Sequence, residues 1–210
     1  MNIEKLKDYE AEFLEEFPNG FDDKNFFPTM KSFNPLILEE FAKEAMKKEN
    51  FQNPSLVVDG FFKVVQKSVF VSLFDKLKLK DMITSLNSYE KDMLSIEIYE
   101  LLYGDKKQGF EGLVEFLAEY KLAKWTILSV VPYSIYRHDE YFIKPTTTKM
   151  IIKTFDLKNM IYKPRPSYEF YEKYTKALDE MKSSVDKSLS PDNVGFTAFL
   201  KVVIERFEDK

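Results

Sequence analysis

Apolar residues recur three and four positions apart along most of this 210-residue chain. Side chains spaced that way share one face of a helix and alternate across a strand, so the pattern points to helices packed on helices. Ile3, Leu6, Phe13, Leu14 and Phe17 mark a first helix that stops near Pro18-Asn19-Gly20. Asn34-Pro35 supplies a cap and a first-turn proline for a second, with Ile37, Phe41, Ala45 and Met46 as its stripe. Asn53-Pro54-Ser55 opens a third, whose Asp59, Lys63 and Lys67 form a polar stripe beside Val57, Phe61, Val64, Val65 and Val69. A helix beginning at Asn87 or Ser88 carries Tyr89, Met93, Ile96 and Tyr103 on one side and ends at Gly104. Phe110, Leu113, Val114 and Leu117 continue the period, as do Tyr171, Tyr174, Leu178 and Met181. Phe196, Phe199, Leu200 and Val203 do the same after Ser190-Pro191-Asp192.

The expected fold is therefore all-α or mainly α, an irregular multi-helix domain. At most a small extended or hairpin element is expected near 126–145. There Thr126–Val131 is rich in β-branched residues, and Tyr141–Ile143 precedes Lys144-Pro145. A chain of this length buries about 70% of its unfolded surface, enough for a full core. One domain over 1–210 is expected, and the division weighed within it is an N-terminal helical subdomain 1–86 and a C-terminal part 87–210. Cysteine is absent, which excludes disulfides, thiol catalysis and cysteine-based zinc sites. Met1–Phe17 lacks the apolar core of a secretory signal, and the apolar run Trp125–Tyr136 is shorter than the ~20 residues that span a bilayer. The expectation is a cytoplasmic bacterial protein without membrane partners.

Several catalytic signatures are excluded by residue inventory. Six glycines, at 20, 60, 104, 109, 112 and 195, fit neither a Walker A loop nor G-x-G-x-x-G nor G-x-S-x-G. His138 is the sole histidine, so multi-histidine metal cages cannot form. His138-Asp139-Glu140 matches H-x-E of zinc deaminases without their cysteine partners. Pro191-Asp192 with Glu208-Asp209-Lys210 superficially matches a PD-(D/E)-x-K nuclease pattern, but Pro191-Asp192 reads more simply as a helix start. No cofactor and no metal site are expected.

Charge singles out one region. The chain carries a formal −4, yet residues 121–165 hold nine basic side chains against three acidic ones. Such a segment in an acidic chain suggests an anion site. Within it Pro145-Thr146-Thr147-Thr148 reads as a helix starting near Thr146 or Thr147, whose free N–H groups attract anions. The candidate ligand-binding residues are Arg137, Lys144, Thr146, Thr147, Lys149 and Arg165, with Trp125 and Tyr141 as aromatic neighbours. The candidate ligand is a nucleotide or a nucleic-acid phosphate. The plainer alternative is a threonine that caps a helix among solvated lysines. A second reading is an enzyme acting on a small phosphorylated or carboxylated substrate, with His138 as acid–base and Asp139 or Glu140 as its partner. A third is a homo-oligomeric partner protein.

Three blocks in this region, Trp125-x-x-x-Ser129-x-x-Pro132-Tyr133, Phe142-x-Lys144-Pro145-Thr146 and Tyr162-x-Pro164-x-Pro166-x-x-x-x-Tyr171, carry a resemblance. The chain resembles an uncharacterised bacterial family with W-P-x-x-T-x-x-P-F, F-L-K-P-T and Y-x-P-x-P blocks. The likeness covers about Lys124 to Leu200 and departs at Thr126, at Tyr168 and in Gly195–Phe199. It implies no activity and no cofactor.

Overall fold

The helices form where caps and periodic apolar residues coincide. The computed structural model describes residues 1–24, 26 and 36–207. The cap expected at Asn34-Pro35 and the Glu208-Asp209-Lys210 end of the nuclease-like pattern lie outside the described residues. Among the described residues ten α-helices run in the order α1 (Ile3–Glu16), α2 (Leu36–Ala45), α3 (Pro54–Lys67), α4 (Leu73–Ser85), α5 (Ser88–Tyr103), α6 (Lys106–Glu119), α7 (Trp125–Ile135), α8 (Pro145–Thr154), α9 (Tyr168–Ser184) and α10 (Asn193–Phe207). Among the described residues there is no strand, and no helix is long and apolar enough to cross a membrane.

Short polar side chains set the starts of most helices. Asn53 accepts from the Leu56 amide at 3.3 Å to open α3. Asn87 and Glu90 close a reciprocal capping box at the start of α5, and Asp192 accepts from the Gly195 amide at 2.7 Å to open α10. Each such cap satisfies an amide that the first turn leaves without an intrahelical partner, a contribution of about 1 kcal/mol.

The ladder α2 to α6 packs pairwise, with α3 against α2, α4 and α5, and α5 against α6. Helix α1 leaves this ladder and joins the end of the chain. Phe13 meets Phe199 of α10 edge-on at 5.3 Å, Tyr9 meets Phe155 at 6.0 Å, and the Asn2 amide donates to the Phe155 carbonyl. Packing thus crosses residue 86 in both directions: α1 belongs with α8, α9 and α10, while α3 belongs with α5. The core is one cluster drawing on residues from Leu6 to Ile204.

Helix α7 joins the two groups, contacting α2, α3 and α6 of the ladder and meeting Phe170 of α9 through Trp125 at 5.2 Å. Every one of its residues except Thr126 is buried. A helix apolar on all sides belongs at the centre of a fold, which explains why a β-branched run becomes helix here. Ser129 and Ser134 bond back to the carbonyls four residues earlier, and Pro132, inside the helix, has no amide to donate to the Leu128 carbonyl.

Two expectations change. In α5 the buried stripe is Leu94, Ile98, Leu101 and Leu102, while Tyr89 and Ile96 face outward. Helix α4 has no sequence-level counterpart, because its apolar residues fall on both faces and blur the period. Its start was nevertheless encoded: Ser72 accepts from the Asp75 amide at 3.1 Å.

At the α5–α6 crossing, a Cβ on Gly109 would sit 2.1 Å from the Leu101 backbone nitrogen. Gly109→Ala must therefore push two helices apart, outweighing alanine's better helix propensity. The expected cost is about 1–3 kcal/mol, measured as a lower urea midpoint at unchanged slope.

Candidate functional site

The residues that sequence reasoning grouped as one site divide into two sets. The first is interior. Arg137 is four-fifths buried, its Nη1 donating to Glu39 at 3.0 Å and its Nε to Asp192 at 2.9 Å; Nη2 also pairs with Asp192. Its carbonyl accepts from the Asn193 amide, and the Asn193 side chain donates to the Glu140 carbonyl at 3.1 Å. Glu140 is buried, with Lys106 on one oxygen and the Tyr171 hydroxyl on the other. Tyr141 is fully buried and donates to Asp179 at 2.7 Å. Burial, then the Asp179 carboxylate, pushes its phenol pKa up, and burial with Glu140 does the same for Tyr171. These groups are spent on one another and pin residues 136–141 to α9 and α10.

The start of α8 corrects a further expectation. The helix begins at Pro145, with Lys144 as a cap that makes no side-chain bond, so Thr146 does not cap it. Proline at the first position needs no amide partner and has its φ preset, which makes a capping side chain dispensable. Thr147 and Thr148 turn inward and are buried, and Thr148 shares a side-chain hydrogen bond with Tyr174. Only Lys144, Thr146 and Lys149 face solvent there, and the Lys149 ammonium lies 5.0 Å from the Tyr162 ring centre.

His138 is exposed and has no side-chain partner among the described residues. Neither it nor Asp139 lines the clefts between α2 and α3, beside α5 or at the start of α9.

The second set surrounds a cleft of about 200 Å3 at the start of α9. Its wall is Trp125 and Phe170, and Lys163, Arg165 and Lys173 stand around it with Asn159, Ser167 and one carboxylate, Glu169. The sequence builds it in three steps. Asp156 and Asn159 adopt left-handed backbone, at φ 47° and 60°, a region these short polar side chains tolerate, and so turn the chain after α8. Lys163 and Arg165 each precede a proline, which holds them extended. Ser167 then caps α9 by accepting from the Phe170 amide at 3.4 Å.

The Trp125 indole donates to the Lys163 carbonyl at 2.8 Å and ties this run to α7. The amides of Tyr168 and Glu169 have no acceptor among the described residues and lie at the positive end of a 17-residue helix. Arg165 pairs with Glu115 at 2.6 Å and Lys173 with Glu169 at 2.7 Å, all four side chains well exposed, so both pairs are easily exchanged. Sequence reasoning found Trp125 and Arg165 and missed Lys163, Lys173 and Ser167. The available signal was Lys163-Pro164-Arg165-Pro166-Ser167, two basic pre-proline residues ahead of a serine cap.

In comparisons with known proteins, no family model, no curated protein and no solved structure matches the chain.

The Arg137 cluster makes a separate prediction. Burial acts to raise the Glu39 pKa, but hydrogen bonds and charge from Lys43 and Arg137 outweigh it and hold the carboxyl below its ordinary 4.5. The pairing therefore stabilises the fold above that pH and is lost as pH falls through the folded-state value. Arg137→Met strands two largely buried carboxylates and is expected to cost about 3 kcal/mol at neutral pH. Urea unfolding followed from neutral pH to below 4.5 should show a shallower acid loss in the variant than in the wild type.

Proposed function

We propose that this chain is a non-enzymatic binding protein that holds a phosphate-bearing anion in the cleft at the start of α9. The observation that carries the reading is a cleft at a helix N-terminus that Lys163, Arg165 and Lys173 line, with a single carboxylate, Glu169, already paired with Lys173. Helix N-termini hold anions through their first amides and the helix dipole, and neighbouring cations add charge-assisted bonds. Size sets the class of ligand. Sites that enclose a whole small organic molecule run to about 300–1,000 Å3; at about 200 Å3 this cleft suits a phosphate or diphosphate group whose remainder stays in solvent. That matches the terminal phosphates of a nucleotide or the backbone of a nucleic acid.

Trp125 is the sole tryptophan and lines the cleft, so its fluorescence reports occupancy directly. Titration with inorganic pyrophosphate should give a saturable change. Lys163→Glu combined with Arg165→Glu should weaken it at least about tenfold without unfolding, both side chains being exposed. The absence of any saturable change would overturn the proposal. Anisotropy of a labelled oligonucleotide separates the two ligand sources: backbone binding requires affinity to fall with salt.

A further inference from the structure

Helix α4 is the edge of the α2–α6 ladder, packed chiefly on α3. It buries Leu79, Met82 and Ile83 on that side. Its opposite face carries Leu73 and Leu77 four residues apart, with Phe74 beside them and Val69 in the preceding turn, all between 54% and 79% exposed. Their combined exposed surface is on the order of 500 Å2, as large as the biggest apolar patch on an ordinary monomer, and such patches are often functional.

Lysines border this face on both sides. On a helical projection Lys76 and Lys80 fall to one side of the Leu73–Leu77 ridge and Lys78 to the other. None of the three has a carboxylate partner among the described residues. The Lys78 ammonium lies 5.3 Å from the Phe74 ring centre and that of Lys124 6.0 Å, so the aromatic sits among cations. One carboxylate, Asp81, is exposed a turn beyond Leu77.

We propose that this face docks an acidic amphipathic helix of a partner protein, independently of the anion cleft. A leucine ridge at i, i+4 seats between the ridges of a second helix. The flanking lysines then meet glutamates at the partner's edges, as charges beside a helical seam do. A second copy of this chain fits poorly, because a self-paired face sets lysines against lysines. A membrane surface fits poorly too: a helix lying in that interface needs an apolar stripe along its length, and here Lys80 and Asp81 interrupt it after two turns.

The test uses a fluorescein-labelled synthetic helix with leucines at i, i+4 flanked by glutamates, and a control with lysines for those glutamates. Anisotropy on the full chain should show the glutamate peptide binding at least about tenfold tighter than the control, with affinity falling as salt rises. Leu77→Glu, which alters an outward side chain, should reduce binding at least about tenfold with circular dichroism unchanged, and Leu73→Glu should do the same. No binding of the glutamate peptide, equal binding of both peptides, or indifference to both substitutions would each overturn the proposal. So would Leu77-dependent sedimentation with phosphatidylserine vesicles, or Leu77-dependent dimerisation by sedimentation equilibrium, in place of peptide binding.

Discussion

A helix buried on nearly all sides has no water to satisfy its polar groups, and α7 meets that constraint in a way that organises its surroundings. Its polar side chains must find partners inside the protein. Ser129 bonds to the Trp125 carbonyl and also accepts from the Ile143 amide at 3.0 Å; the Trp125 indole reaches the Lys163 carbonyl. Two irregular segments, one before α8 and one before α9, are thereby fixed to the same central helix. These two bonds connect Trp125–Tyr133 with the runs Phe142–Thr146 and Tyr162–Tyr171.

That frame sorts the basic surplus of residues 121–165 into two kinds of charge. Arg137 is consumed by Asp192 and Glu39, and Lys124 by Asp75. An arginine fixed between two buried carboxylates holds helices in register and has no charge left for a ligand. Lys163 is exposed beside the carbonyl that the Trp125 indole holds, and Arg165 is engaged only in an exposed, exchangeable pair with Glu115. A local excess of cations in sequence therefore gives no single basic surface, and which cations are free depends on carboxylates as distant as residues 39, 75 and 192.

Much of the fold was legible because caps and period agree. Asn53, Asn87 and Asp192 start the helices where the sequence places them, and the buried stripes of α6, α9 and α10 follow the expected spacing. The failures share a cause. Period identifies a face only when one face is apolar: α4 has apolar residues on two faces and α7 on all, so the pattern does not mark the first and cannot separate helix from strand in the second. The site was less legible. Thr146 follows a proline that starts the helix unaided, and Arg137 looks free until Asp192, 55 residues later, lies against it.

The central claim is that exposed cations and the first amides at the start of α9 form the anion site. Amide chemical-shift mapping tests it directly, because each backbone N–H reports its own surroundings. Adding inorganic pyrophosphate to the nitrogen-labelled chain should shift Tyr168 and Glu169 most, with smaller changes between 159 and 173 and at the Trp125 indole. Shifts centred instead on Thr146–Lys149 at the start of α8, or none above background, would contradict it.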